Sequence, residues 1–185
     1  MIRMVASAVM LALALPVLAE EWPAQPEFDF MPDGGRWTLL KLGEASAIDL
    51  AEATSQAGSE AEWAERLARA DPSLSAESLE TLASYMAINF PLAEEARAKA
   101  KSPSGWTGVL PPDGKDLAIA NCQFCHSFFT GYLAHDRDTE GWRSIFKAPF
   151  HMELPMSAKE RETFARYSAI NMPIPYEEVP EDLRF

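Results

Sequence analysis

Residues 80–91 read Glu-Thr-Leu-Ala-Ser-Tyr-Met-Ala-Ile-Asn-Phe-Pro, and residues 162–173 read Glu-Thr-Phe-Ala-Arg-Tyr-Ser-Ala-Ile-Asn-Met-Pro. The two stretches match at an offset of 82 residues. Leu74-Ser75-Ala76 pairs with Met156-Ser157-Ala158 at the same offset, Trp63 with Trp142 at 79, and Pro32-Asp33-Gly34 with Pro112-Asp113-Gly114 at 80. Ordered matches with a small drift indicate two copies of one unit, about residues 30–93 and 110–175.

Each copy reads as helical. Ser157 with Glu160 forms a capping box, Phe164, Tyr167 and Ile170 recur on one face, and Pro173 stops the segment. Ser75 opens the equivalent helix, with Leu82, Tyr85 and Ile88 on its inner face and Pro91 beyond. Trp63 and Trp142 each fall in a shorter helix upstream. No stretch alternates as a strand would, so the fold class expected is all-α, with two helical units in tandem.

The chain is 185 residues with 16 Lys+Arg and 28 Asp+Glu, a formal charge of −12. Hydrophobic residues at 48% suffice for one or two small cores. Such acidity excludes the clustered cations that nucleic acid rewards. Residues 1–19 carry Arg3, an uncharged apolar run from Met4, and small Val17 and Ala19 before Glu20. That is the pattern of a cleaved secretory signal peptide, which places the mature chain outside the cytoplasm, most simply in a bacterial periplasm. The expected organisation is a first unit at 20–95, a linker at 96–105 rich in charge with Pro103 and Gly105, a second unit at 106–175, and an acidic tail at 176–185.

The two cysteines are Cys122 and Cys125, in Cys-Gln-Phe-Cys-His at 122–126. C-x-x-C-H is the spacing by which two thiols reach the two vinyl groups of one porphyrin, with the adjacent His126 under the iron. Asp113 to Asn121 forms the helix leading into the motif, and 127–141 a loop. Three other readings compete. A zinc site needs four ligands, and only His135 and His151 accompany the motif. A thioredoxin-like redox pair follows a strand, and none precedes Cys122. A structural disulfide leaves His126 without a role.

Over about residues 106–175 the chain resembles a class I c-type cytochrome. Cys122-x-x-Cys125-His126-Ser127, then Trp142, then a helix ending Tyr167-x-Ala169-x-Asn171, is most similar to the small cytochrome c subunits or domains of periplasmic dehydrogenases, such as sulfite dehydrogenase and quinohaemoprotein amine dehydrogenase. The resemblance implies one covalent haem c on Cys122 and Cys125, His126 as proximal iron ligand, and a methionine as distal ligand. Met152, 26 residues after His126, lies nearest the place where those cytochromes put it. Met156, His151 and Met172 are the alternatives. His135 reads as an exposed loop residue, and Arg137 or Arg143 as a charge partner for a haem propionate.

The first unit contains neither Cys nor His, and alignment on Pro-Asp-Gly sets Leu42, Ala45 and Ser46 against Cys122, Cys125 and His126. It is expected to be a haem-less relative of the second, its core filled by Leu39, Leu40 and Leu42. The function expected is single-electron transfer in a monohaem cytochrome, as carrier or subunit beside a redox partner protein, with catalysis left to that partner. The alternative is a haem-based ligand-binding or sensor module. Neither nucleic acid nor, after signal cleavage, a membrane is expected as a partner.

Overall fold

A computed structural model describes residues 26–100 and 103–184, so the signal sequence expected at 1–19 lies outside the described residues. Among the described residues nine α-helices follow one another and there is no strand. In the first half these are α1 (Gly35–Glu44), α2 (Leu50–Ala53), α3 (Glu60–Ala70), α4 (Ala76–Asn89) and α5 (Glu94–Arg97). In the second they are α6 (Gly114–Cys122), α7 (Thr139–Ser144), α8 (Pro149–Met152) and α9 (Ala158–Asn171). No helix among the described residues is long and apolar enough to cross a membrane.

Local chemistry sets the starts of the long helices. The Ser157 hydroxyl accepts from the Glu160 amide while Glu160 reaches back to the Ser157 amide. Ser59 with Glu62 repeats this at α3, and Ser75 caps α4 through the Ser78 amide.

Helices α1 and α3 pack on α4, and α6 and α7 pack on α9. Each trio encloses a core: Leu39, Leu42, Trp63, Leu67, Leu82 and Met86 in the first half, and Leu117, Ile119, Tyr132, Trp142, Phe164 and Met172 in the second. Leu40 is buried with the first set, as expected. Gly35 and Gly114 admit the close crossings, since a Cβ at either would lie within 2.3 Å and 2.1 Å of the Tyr85 and Tyr167 side chains respectively. The segments ahead of α1 and α6 are exchanged. Phe28 and Met31 sit in the second core, and Trp106 and Leu110 in the first. The Tyr85 hydroxyl donates to the Pro111 carbonyl and the Tyr167 hydroxyl to the Pro32 carbonyl, each at 2.7 Å. The residues expected to form a linker thus border a segment that is part of a core.

The halves meet along α4 and α9. Asn89 donates to the Thr163 hydroxyl at 3.1 Å, and Asn171 donates to the Thr81 hydroxyl at 2.9 Å. These four positions interchange at an offset of 82. Ser84 and Arg166, also 82 apart, touch each other, and Arg166 continues to Glu60 on α3.

A second shared point lies at the starts of α1 and α6. The buried Asp113 carboxylate accepts from the amides of Lys115 and Asp116 on its own helix, and from the Arg36 amide on α1. One carboxylate therefore caps two helices. Residue 34 must be glycine here, because its Cβ would lie 2.0 Å from the Asp113 carboxyl carbon. Gly34→Ala is expected to push Asp113 off its donors and to cost about 2 kcal/mol, on the order of one cap per helix. Thermal unfolding of the variant checks this.

The helix starts Gly35 and Gly114 stand 79 apart, the same offset as Trp63 and Trp142. The structural register therefore sets Gly43, Ser46 and Ala47 against Cys122, Cys125 and His126, one residue on from the alignment on Pro-Asp-Gly. The offset grows to 82 by Ser75 and Ser157, so the second half holds three extra residues after Trp142. Helix α3 is continuous over 11 residues, whereas α7 ends at Ser144 and gives way to a 3-10 turn at Ile145–Lys147 and then α8, with Pro149 at its first turn. The tail wraps the second half: Val179 is buried in its core and Leu183 packs beside it.

Candidate functional site

Helix α6 ends at Cys122, where the Asn121 and Gln123 side chains donate to the carbonyls of Leu117 and Ile119 at 2.8 Å. The Gln123 bond reaches a carbonyl of the last turn. The chain then swings out through Phe124, Cys125 and His126, all exposed, and returns at buried Phe128. Phe128 is held edge-on by Phe28 and stacked on Tyr132, which sits in a π-helical turn at Phe129–Leu133 inside the expected loop.

This turn backs a cleft of about 580 Å³. Cys122, Cys125 and His126 line it together with His135, Arg137, Trp142, Phe150, His151 and Met156. Its floor is aromatic: Tyr132, Trp142 and Phe164 have centroids 5.3 to 5.8 Å apart. Size and lining fall within the usual range for a bound organic group. Phe150 lines this cleft although its ring is 87% exposed.

The candidate residues fall in different places. Cys122, Cys125 and His126 are brought together on the cleft. Met152 is 55% exposed and is not among the lining residues. Met156 lines the cleft from a buried position. Met172 is buried in the second core, away from the lining. His151 lines the cleft, and its ring centroid is 6.5 Å from that of His126. His135 is half-buried against Trp142 and lines the cleft as well, instead of standing free in a loop. Arg137 lies over the Trp142 ring at 5.5 Å. Arg143 is engaged elsewhere, donating to both Glu162 oxygens at 2.7 and 2.5 Å. The cleft-facing places of His135, Tyr132 and Phe146 were missed in the sequence because their contacts come from separate elements. The only cue was the aromatic density of 128–132.

No protein-family model, curated protein or solved structure matches this chain. The chemistry of the cleft therefore has to come from its own atoms. Among the described residues no three His, Cys, Asp or Glu side chains cluster as a metal cage. Burial pushes the Cys122 thiol up to about 12, with the neighbouring Cys125 adding to the rise. A thiol so raised is a poor thiolate and a poor agent of disulfide exchange. The Trp142 indole N–H is buried without an acceptor, as is that of its counterpart Trp63 in the first half. The lining thus combines aromatic walls with two thiols, the imidazoles of His126, His135 and His151, and the Arg137 guanidinium.

Proposed function

We propose that this protein is an exported monohaem c-type cytochrome, with its haem in the Cys122–Cys125–His126 cleft and a haem-free, cytochrome-like first unit. The carrying observation is the convergence of both thiols and His126 on one apolar cleft. Cys122 and Cys125 hold the group as thioethers, each S–H adding across one vinyl so that nothing is released. His126 would supply an imidazole to the iron, and Arg137, on the cleft, would be the charge partner for a propionate. When bound, haem iron supplies reversible one-electron exchange.

Supporting a haem-free first unit, residues 20–95 contain no Cys and no His. Beside Trp63 there is only a cavity of about 200 Å³, bordered by Ala47, Ile48 and Leu67. Its role is to complete the second core through Phe28 and Met31, across the α4–α9 interface. The signal pattern at 1–19 supports a periplasmic location. The net charge of −12 supports a redox partner with a basic docking face, whose association weakens as salt rises.

Export in a host that matures c-type cytochromes tests the reading. The expected product carries one haem per chain that survives denaturation, measured by haem stain and intact mass. A chain with the mass of the polypeptide alone overturns it. A second measurement concerns positioning. A Cβ at Gly131 would fall 1.9 Å from the His126 Nδ1. Gly131→Ala is therefore expected to keep the covalent haem but to displace the imidazole, seen as a shift of the optical spectrum toward high spin.

A further inference from the structure

We infer that His151, on the short helix α8, is the second axial ligand of the haem, so that the iron sits between two imidazoles. This rests on the haem reading above and adds to it the identity of the distal ligand. Four observations carry it.

The first is distance. The His126 and His151 centroids are 6.5 Å apart. Two imidazoles on opposite sides of one metal, with metal–nitrogen bonds of about 2.0 Å, place their centroids roughly 6 Å apart. The second is tautomer. Nδ1 of His151 lies 3.2 Å from the Ile145 carbonyl, and Nδ1 of His126 lies 3.2 Å from the Ser127 carbonyl. A carbonyl only accepts, so Nδ1 is the donor in each contact and Nε2 is the nitrogen left to face a metal. A backbone partner on the other nitrogen is the usual way a ligating imidazole is oriented.

The third is the chain path. The half that bears the cysteines also has the broken α7, the three extra residues and the separate helix α8. That departure from the continuous α3 brings His151 to the cleft. The fourth is the placement of the methionines. Met152 points away from the lining and is half-exposed. Met156 lines the cleft, but from a buried position that Leu74 holds in the first half, packed there against the core. Met172 is a core residue.

The test is spectroscopic and needs no partner enzyme. Near-infrared magnetic circular dichroism of the oxidised holoprotein should show the bis-imidazole band, and the far-red thioether-to-iron charge-transfer band should be absent. His151→Ala should lose the low-spin signature and recover it when free imidazole is added. Met152→Ala, outside the lining, should leave it unchanged. A thioether band in the wild-type protein, or a low-spin His151→Ala without added imidazole, overturns the assignment while leaving the haem reading intact. A chain with no covalent haem overturns both. Should His151→Ala fail to fold, the wild-type spectrum alone decides.

Discussion

Cys122→Ser combined with Cys125→Ser is expected to leave no haem on the chain after denaturation, with the stain falling to background. Both hydroxyls fit where the thiols were, so the backbone at the end of α6 keeps its Asn121 and Gln123 bonds. What disappears is the covalent link. The second consequence is stability. A group bound by the native state alone adds about 4 kcal/mol when present at a thousandfold excess over its Kd, and tethering acts in the same direction. For a chain of this size each kcal/mol is about 2–4 °C in Tm, so the double variant should melt on the order of 10 °C lower. The cleft explains the sensitivity. Phe150, 87% exposed, lines the cleft, so a bound group would cover it. Haem retained on a denaturing gel would sink the assignment of these two residues as anchors.

The helical class and the long helices were legible in the sequence because they depend on local signals. Ser157 with Glu160 and the Pro after each repeat mark ends that any neighbour would leave in place. The three-residue spacing of Phe164, Tyr167 and Ile170 was less complete. Ile170 and its counterpart Ile88 are only half-buried, whereas Thr81, Ser84, Asn89, Thr163 and Ser168 are buried. Helices α4 and α9 pack on each other as well as on their own halves, so a second, polar face is covered. A hydrophobicity pattern cannot register such a face. Its threonines and asparagines become compatible with burial only once each has found a partner on the other helix.

The site divides along the same line. Cys122, Cys125 and His126 are adjacent in the chain, and their spacing carries its chemistry whatever surrounds it. The distal candidates depend on the path of residues 144–156, where one helix stops and another starts. Counting residues favoured Met152, but Met152 and His151 are neighbours on a helical turn and so point in different directions. Only one of them faces the cleft. The exchange of Phe28 and Trp106 between cores was likewise invisible, since the segment ahead of a helix has no periodicity to say which core it joins.

Asp113→Ala is expected to destabilise both halves at once, by about 3 kcal/mol. Losing a cap costs about 1 kcal/mol per helix, and leaving buried amides without an acceptor adds about 1 kcal/mol or more. Three amide donors converge on this carboxylate, two from α6 and one from α1. Opposing influences meet on it: burial first, then the charge of Asp116, raise its pKa, while the amides and Arg36 draw it down. The Arg36 guanidinium bonds to Asp116 at 3.2 Å and to the Thr107 carbonyl at 2.6 Å, so that cation keeps other partners when Asp113 is removed. The loss should therefore be that of the caps and not of a stranded buried charge, which would cost more. Hydrogen exchange separates a shared cap from two independent ones. In the variant, the amides of Arg36 at the start of α1 and of Lys115 at the start of α6 should exchange faster together, and unfolding should remain a single transition. Faster exchange at Lys115 with Arg36 unchanged would mean that Asp113 serves α6 alone, and that the halves are held together by α4 and α9 only.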